Sequence, residues 1–61
     1  MAHPLPPEIK KRAEEMCAKY ENLEVLDPGT IYEIEGKILV AVQDRQTGTL
    51  LWLDLKSGHV S

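Results

Sequence analysis

Cys17, His3 and His59 are the side chains of this sequence best suited to nucleophilic or metal chemistry. A thiol activated by an imidazole makes a nucleophile and base pair, and thiolate sulfur and imidazole nitrogen are donors that zinc prefers. Their spacing argues against both uses. The three come from distant parts of the chain, and no oxyanion-hole motif or orienting third group accompanies them. A structural zinc takes about four ligands at short paired spacings. Cys17 falls instead on an apolar helical stripe, where a buried and inert thiol is the usual outcome. No catalytic residue, metal ligand or cofactor-binding residue is assigned.

Glu33 and Glu35 stand two apart on a strand pattern and point the same way, as paired carboxylates for acid–base work or cation binding would. At the start of a sheet, such residues more often serve as polar edge positions that discourage unwanted pairing. Lys10, Lys11 and Arg12 form the densest basic run and, with Lys19, the candidate surface for nucleic acid. Sheet proteins that bind nucleic acid interleave aromatic platforms with basic residues. Here Glu and Asp accompany Trp52 and Tyr32, and ten acidic residues against seven basic give a net charge of −3. Nucleic-acid binding is therefore the alternative reading. The "PLPP" segment, residues 4 to 7, could dock as a polyproline ligand, and reads more simply as a stiff lead-in to a helix.

The elements that must position these residues follow from periodicity. Residues 1–6 read as an extended proline-rich arm, and Pro7 suits the first position of a helix over 7–21. Ile9, Ala13, Met16, Cys17 and Tyr20 make its apolar stripe. Lys10 with Glu14, Lys11 with Glu15, Glu8 with Arg12 and Glu15 with Lys19 fall at i,i+4 on the other face, and Asn22 suits a left-handed stop. From residue 23 the period becomes 2. Pro28-Gly29 fits a type II turn, and residues 30–35, 37–43 and 49–55 read as three strands of an antiparallel meander spanning 23–61. A fourth strand is open at Leu23–Leu26 or at the C-terminus. The fold class is α+β, one N-terminal helix packed on a three-stranded or four-stranded antiparallel sheet in a single domain.

Asp44-x-x-Thr47-Gly48 and Asp54-x-x-Ser57-Gly58 repeat one turn signal. The carboxylate accepts backbone N–H bonds two and three residues on, the hydroxyl reinforces the bend, and glycine takes positive φ freely. "DRQTGTLLW" and "LDLKSGHV" resemble the Asp-x-x-Thr-Gly-x-x-x-Trp repeat of quinoprotein-type β-propellers over fewer than twenty residues. About four four-stranded blades is the propeller minimum, more than 61 residues can build.

A four-residue loop from Arg45 to Gly48 sets Asp44 opposite Thr49, which places Val42 against Leu51, Val40 against Leu53 and Ile38 against Leu55 on the helix side. Leu39, Ala41 and Gln43 then share the opposite side with Leu50, Trp52 and Asp54. A two-residue loop at Glu35-Gly36 adds Tyr32 and Ile34 to that second side, whereas a three-residue loop adds them to the core. With only one helix, Leu39, Ala41, Leu50 and Trp52 have no cover from this chain on either reading.

Small domains bury a modest fraction of their surface and lean on staples or partners, and one cysteine excludes an internal disulfide. The start "MAHPLPP" lacks the apolar stretch of a signal peptide, and no apolar run is long enough to span a membrane. A cytoplasmic setting is expected. The expected role is non-catalytic: an interaction or regulatory module that forms a homo-oligomer, such as a dimer, or meets a larger protein partner through the face around Trp52.

Overall fold

The computed structural model describes residues 2 to 61. Chain order is β1 (Ala2–Pro4), α1 (Pro7–Cys17), β2 (Leu23–Val25), β3 (Thr30–Ile34), β4 (Lys37–Asp44) and β5 (Leu50–Asp54), with every strand pairing antiparallel. This is the α+β arrangement expected, with the helix ahead of four of the five strands among the described residues, and β1, ahead of the helix, is a strand beyond the three or four expected. Val60 adds a further bridge to Leu53.

The sheet is built around β4. Its even-numbered residues face β5, as in the bonds from Asp44 N–H to the Thr49 carbonyl (2.9 Å) and from Leu55 N–H to the Ile38 carbonyl (3.2 Å). Its odd-numbered residues face the other way, and both β2 and β3 use that edge. Glu24 and Val25 pair with Gln43 and Val42, Ile31 and Tyr32 pair with Val40 and Leu39, and Leu26 N–H donates to the Ala41 carbonyl at 3.4 Å. β2 and β3 are thus two halves of one strand, interrupted opposite Ala41 by an excursion from Leu26 to Gly29. The type II turn expected there is absent. Gly29 does not have the positive φ that such a turn demands, and the Asp27–Pro28 peptide is cis. Glycine is required at 29 for space, since a Cβ would run into the Leu26 carbonyl oxygen and lie 2.8 Å from Leu5 Cδ2.

The arm is strand rather than polyproline lead-in. His3 pairs with Ile31, Pro4 with Thr30, and Leu5 N–H reaches the Gly29 carbonyl at 3.3 Å. Pro4 has no N–H to offer a further strand, which blunts the edge. Pro6 then stands at the N-cap and Pro7 at the first helical position, where the missing N–H costs nothing.

α1 ends at Cys17, short of the expected 21. Past Ala18 the chain tightens, with Tyr20 N–H donating to the Cys17 carbonyl at 2.9 Å, and Asn22 is not left-handed. Tertiary bonds hold this stretch. Arg45 N–H donates to the Asn22 carbonyl (2.7 Å), Asn22 Nδ2 donates to Gln46 (3.1 Å), and the Tyr20 hydroxyl donates to the Gly58 carbonyl (2.9 Å). The expected i,i+4 ion pairs do not form among the described residues. Lys10 turns to Asp27 of the excursion instead, at 2.9 Å.

The core lies between the helix and one sheet face. Ala13, Cys17, Ile31, Val40, Val42, Leu53 and Leu55 are buried, and Leu5, Ile9, Met16, Leu23, Val25, Ile38, Leu51 and Val60 pack around them. Tyr20 stays exposed, contrary to its place in the expected stripe, because its hydroxyl is drawn to the last turn.

Candidate functional site

The register of the two hairpins decides which residues the helix leaves uncovered. Glu35 (φ 51°) and Gly36 (φ 75°) form a two-residue loop with both central residues left-handed, and Ile34 pairs with Lys37. That is the turn whose twist suits paired strands. Of the two loops open in the sequence, it is the one that sends Ile31 inward and Tyr32 and Ile34 outward. Glu35 therefore belongs to the turn and not to a strand, so it does not share a strand face with Glu33.

The second hairpin has the expected register, with Val40, Ala41 and Val42 opposite Leu53, Trp52 and Leu51. Its turn works as the residue types require. Asp44 Oδ1 accepts from Gln46 N–H (2.8 Å) and Thr47 N–H (3.3 Å), and Gly48, at φ 75°, donates to the Asp44 carbonyl at 2.7 Å. The same bonds recur after β5. Asp54 Oδ1 accepts from Lys56 N–H (2.8 Å) and Ser57 N–H (3.4 Å), and Gly58 N–H donates to the Asp54 carbonyl. The Lys56 N–H, followed by the Ser57 N–H and hydroxyl and the Lys37 charge, holds the Asp54 carboxyl below its ordinary pKa against a smaller opposing effect of burial. The second turn sends residues 59–61 back along the outer edge of β5, where Trp52 and Ser61 exchange N–H···O bonds of 2.9 and 3.0 Å.

On the face away from the helix, the pairs Ile34–Lys37, Tyr32–Leu39–Asp54, Ala41–Trp52 and Glu24–Gln43–Leu50 lie in successive rows. The apolar members run diagonally from Ile34 through Tyr32, Leu39, Ala41 and Trp52 to Leu50. Tyr32 and Trp52 lean toward each other across β4, with ring centroids 6.1 Å apart and planes tilted by 56°, a favourable aromatic geometry. Even so, Tyr32, Ile34, Trp52 and Leu50 remain 36, 44, 38 and 65% exposed. β1 does not roof them, because it extends the sheet sideways from β3. One flank of the stripe carries Lys37 and Asp54, the other Glu24, Gln43 and Thr30. Lys37 lies on this face by alternation with Leu39, Ala41 and Gln43 on β4.

The other candidates are scattered. Cys17 is buried, and that burial, with the Glu14 charge adding to it, raises its thiol pKa and disfavours the thiolate. His3 lies in β1 and His59 follows Gly58. Among the described residues no group of three or more His, Cys, Asp or Glu is placed to hold a metal. Of the basic residues, Lys10 is engaged by Asp27, whose hydrogen bond raises its pKa. Lys11 is exposed, and Arg12 and Lys19 flank a shallow hollow over Met16 and Leu55 that also holds Glu15. A concavity of about 480 Å³ lies between the end of α1 and β2 and is lined by Glu14, Glu21 and Glu24 beside Arg45. Arg45 spends one guanidinium bond on the Glu21 carbonyl (3.0 Å). No helix among the described residues is long and apolar enough to cross a membrane. Compared with protein-family models, curated proteins and solved structures, the chain matches none of them.

Proposed function

We infer that this chain is a small, non-catalytic interaction module of the cytoplasm, working by docking its outer sheet face onto protein, whether a second copy or a larger partner. Neither cofactor nor nucleic acid has a part in this reading. One observation carries it: Tyr32, Ile34, Leu50 and Trp52 stay exposed around Leu39 and Ala41 on a face that no other element among the described residues covers. Contiguous apolar patches on soluble proteins usually mark interfaces, and covering a large apolar side chain contributes about 1.5–3 kcal/mol.

A photo-crosslinking amino acid placed at position 50, and at position 11 as a control, tests this in native extract. Adducts at 50, with this chain or with another protein, are expected to persist at about 0.5 M salt and to disappear when Trp52→Asp is added. The absence of any adduct at 50 beyond those at 11 would overturn the reading. Adducts at position 11 with nucleic acid, lost as salt rises, would favour the basic helix run instead.

A further inference from the structure

Resting on the docking-surface reading, we propose that the occupant of this face is a second copy of the chain, laid face to face about a two-fold axis that runs along the diagonal apolar stripe. The stripe crosses the sheet from Ile34 on β3 to Leu50 on β5, so an axis along it superposes stripe on stripe. Apolar side chains then meet apolar side chains over its whole length: Ile34 and Leu50 each meet their own counterparts near the axis, while Trp52 crosses toward the partner's Ala41 and Tyr32 toward the partner's Leu39. A two-fold contact of this kind uses the same patch twice and closes on itself, leaving no sticky surface behind.

Charge selects this axis over the other in-plane choice. Asp54 sits on one flank near the middle of the stripe, level with Thr30 on the other flank. An axis running across the stripe would set Asp54 against the Asp54 of the second copy, and like charges directly opposed across an interface are penalised. The axis along the stripe instead sets Asp54 against the second copy's Thr30, a hydroxyl that can donate to the carboxylate, and does so twice by symmetry. Lys37 and Glu24, farther out on opposite flanks, then meet no like charge.

Area sets the expected strength. The exposed parts of the four large side chains amount to on the order of 400 Å² per copy, comparable with the largest apolar patch on an ordinary monomer. A standard specific interface takes about 800 Å² from each partner. The pair is therefore a reversible one, each copy keeping its own core, with half-association between about 10 µM and 1 mM.

Sedimentation of the purified full-length chain across that range is the test. The expected result is a mass rising with concentration from 6.9 kDa toward twice that value. Leu50→Lys, at the most exposed position of the stripe, is expected to move the midpoint at least about tenfold higher with an unchanged far-ultraviolet circular dichroism spectrum. Thr30→Asp is expected to loosen the pair and Thr30→Lys to tighten it. A chain that stays monomeric at about 1 mM overturns the proposal; if position 50 then crosslinks to a foreign protein, the docking-surface reading stands without it. Association insensitive to Leu50→Lys, or equal effects of the two Thr30 variants, would also overturn the proposed face or its axis.

Discussion

Replacing Leu53 and Leu50 by alanine, one at a time, sets the two faces of β5 against each other. The residues are three apart on the same strand and chemically identical, but Leu53 is 0% exposed and Leu50 65%. At Leu53 the substitution removes a fully buried side chain that packs against Val40 and the helix, leaving a cavity as well as a lost transfer term. Such changes cost about 2–5 kcal/mol. A single core of this size yields only about 3–5 kcal/mol in total, so the variant is left with about 3 kcal/mol at best and is largely unfolded when the cost lies at the upper end of its range. With roughly 4–8 °C per kcal/mol for a domain of this length, its melting temperature falls by about 10 °C or more. At Leu50 the same truncation stays within about 0.5 kcal/mol. Urea titration followed by circular dichroism, at about 1 µM to keep association low, measures both, and comparable slopes confirm that the same transition is compared. Equal destabilisation by the two variants, or a loss below about 1 kcal/mol at Leu53, would refute the assignment of inner and outer faces.

Further outcomes are specific to single residues. Glu35→Asn is expected to raise stability by up to about 1 kcal/mol in the same titration, because asparagine tolerates the left-handed conformation that Glu35 holds at φ 51°. Gly29→Ala is expected to cost about 1–3 kcal/mol and to speed amide exchange at Leu5 and Ile31, since the excursion must open to admit a Cβ. The Cys17 thiol holds its proton more tightly folded than unfolded, so its contribution is complete below the unfolded pKa near about 8.5 and is lost as pH rises through the folded value. Cys17→Ala is expected to flatten that alkaline slope in thermal melts. Asp54 has the opposite sign: its lowered pKa stabilises above the unfolded value of about 3.9 and fails as pH falls through the folded one, and Asp54→Asn is expected to blunt the acid limb.

Local chemistry was readable where a turn is determined by its own residues. Asp44 to Gly48 carries its carboxylate, hydroxyl and glycine within five positions, and the pairing of β4 with β5 followed from it directly. Glu35-Gly36 lacks such a signature, because glutamate seldom occupies a left-handed position, so the sequence leaves the side taken by Tyr32 and Ile34 open. The helix was read four residues too long because Tyr20 continues the periodic stripe. What stops the helix is the pull of Arg45, Gln46 and Gly58 on residues 20 to 22, contacts remote in sequence. The strand character of Ala2–Pro4 was hidden in the same way. Prolines there spoke for an isolated arm, whereas the partner that pairs with it, Thr30 to Tyr32, lies beyond the helix. The uncovered face of β4 and β5 follows from strand alternation alone, since period 2 separates Leu39, Ala41, Leu50 and Trp52 from the core.

The interruption of the β2–β3 strand bears on how this chain can be altered. Residues on either side of Leu26–Gly29 keep their antiparallel partners on β4, so segment length at this point is decoupled from the alignment of the sheet. Lengthening it costs only the slow logarithmic penalty of a longer loop, provided Asp27 still reaches Lys10 and Gly29 still receives Leu5. Peptide tags or recognition sequences inserted between Asp27 and Pro28 would emerge at a rim of the molecule with the hydrophobic interior intact.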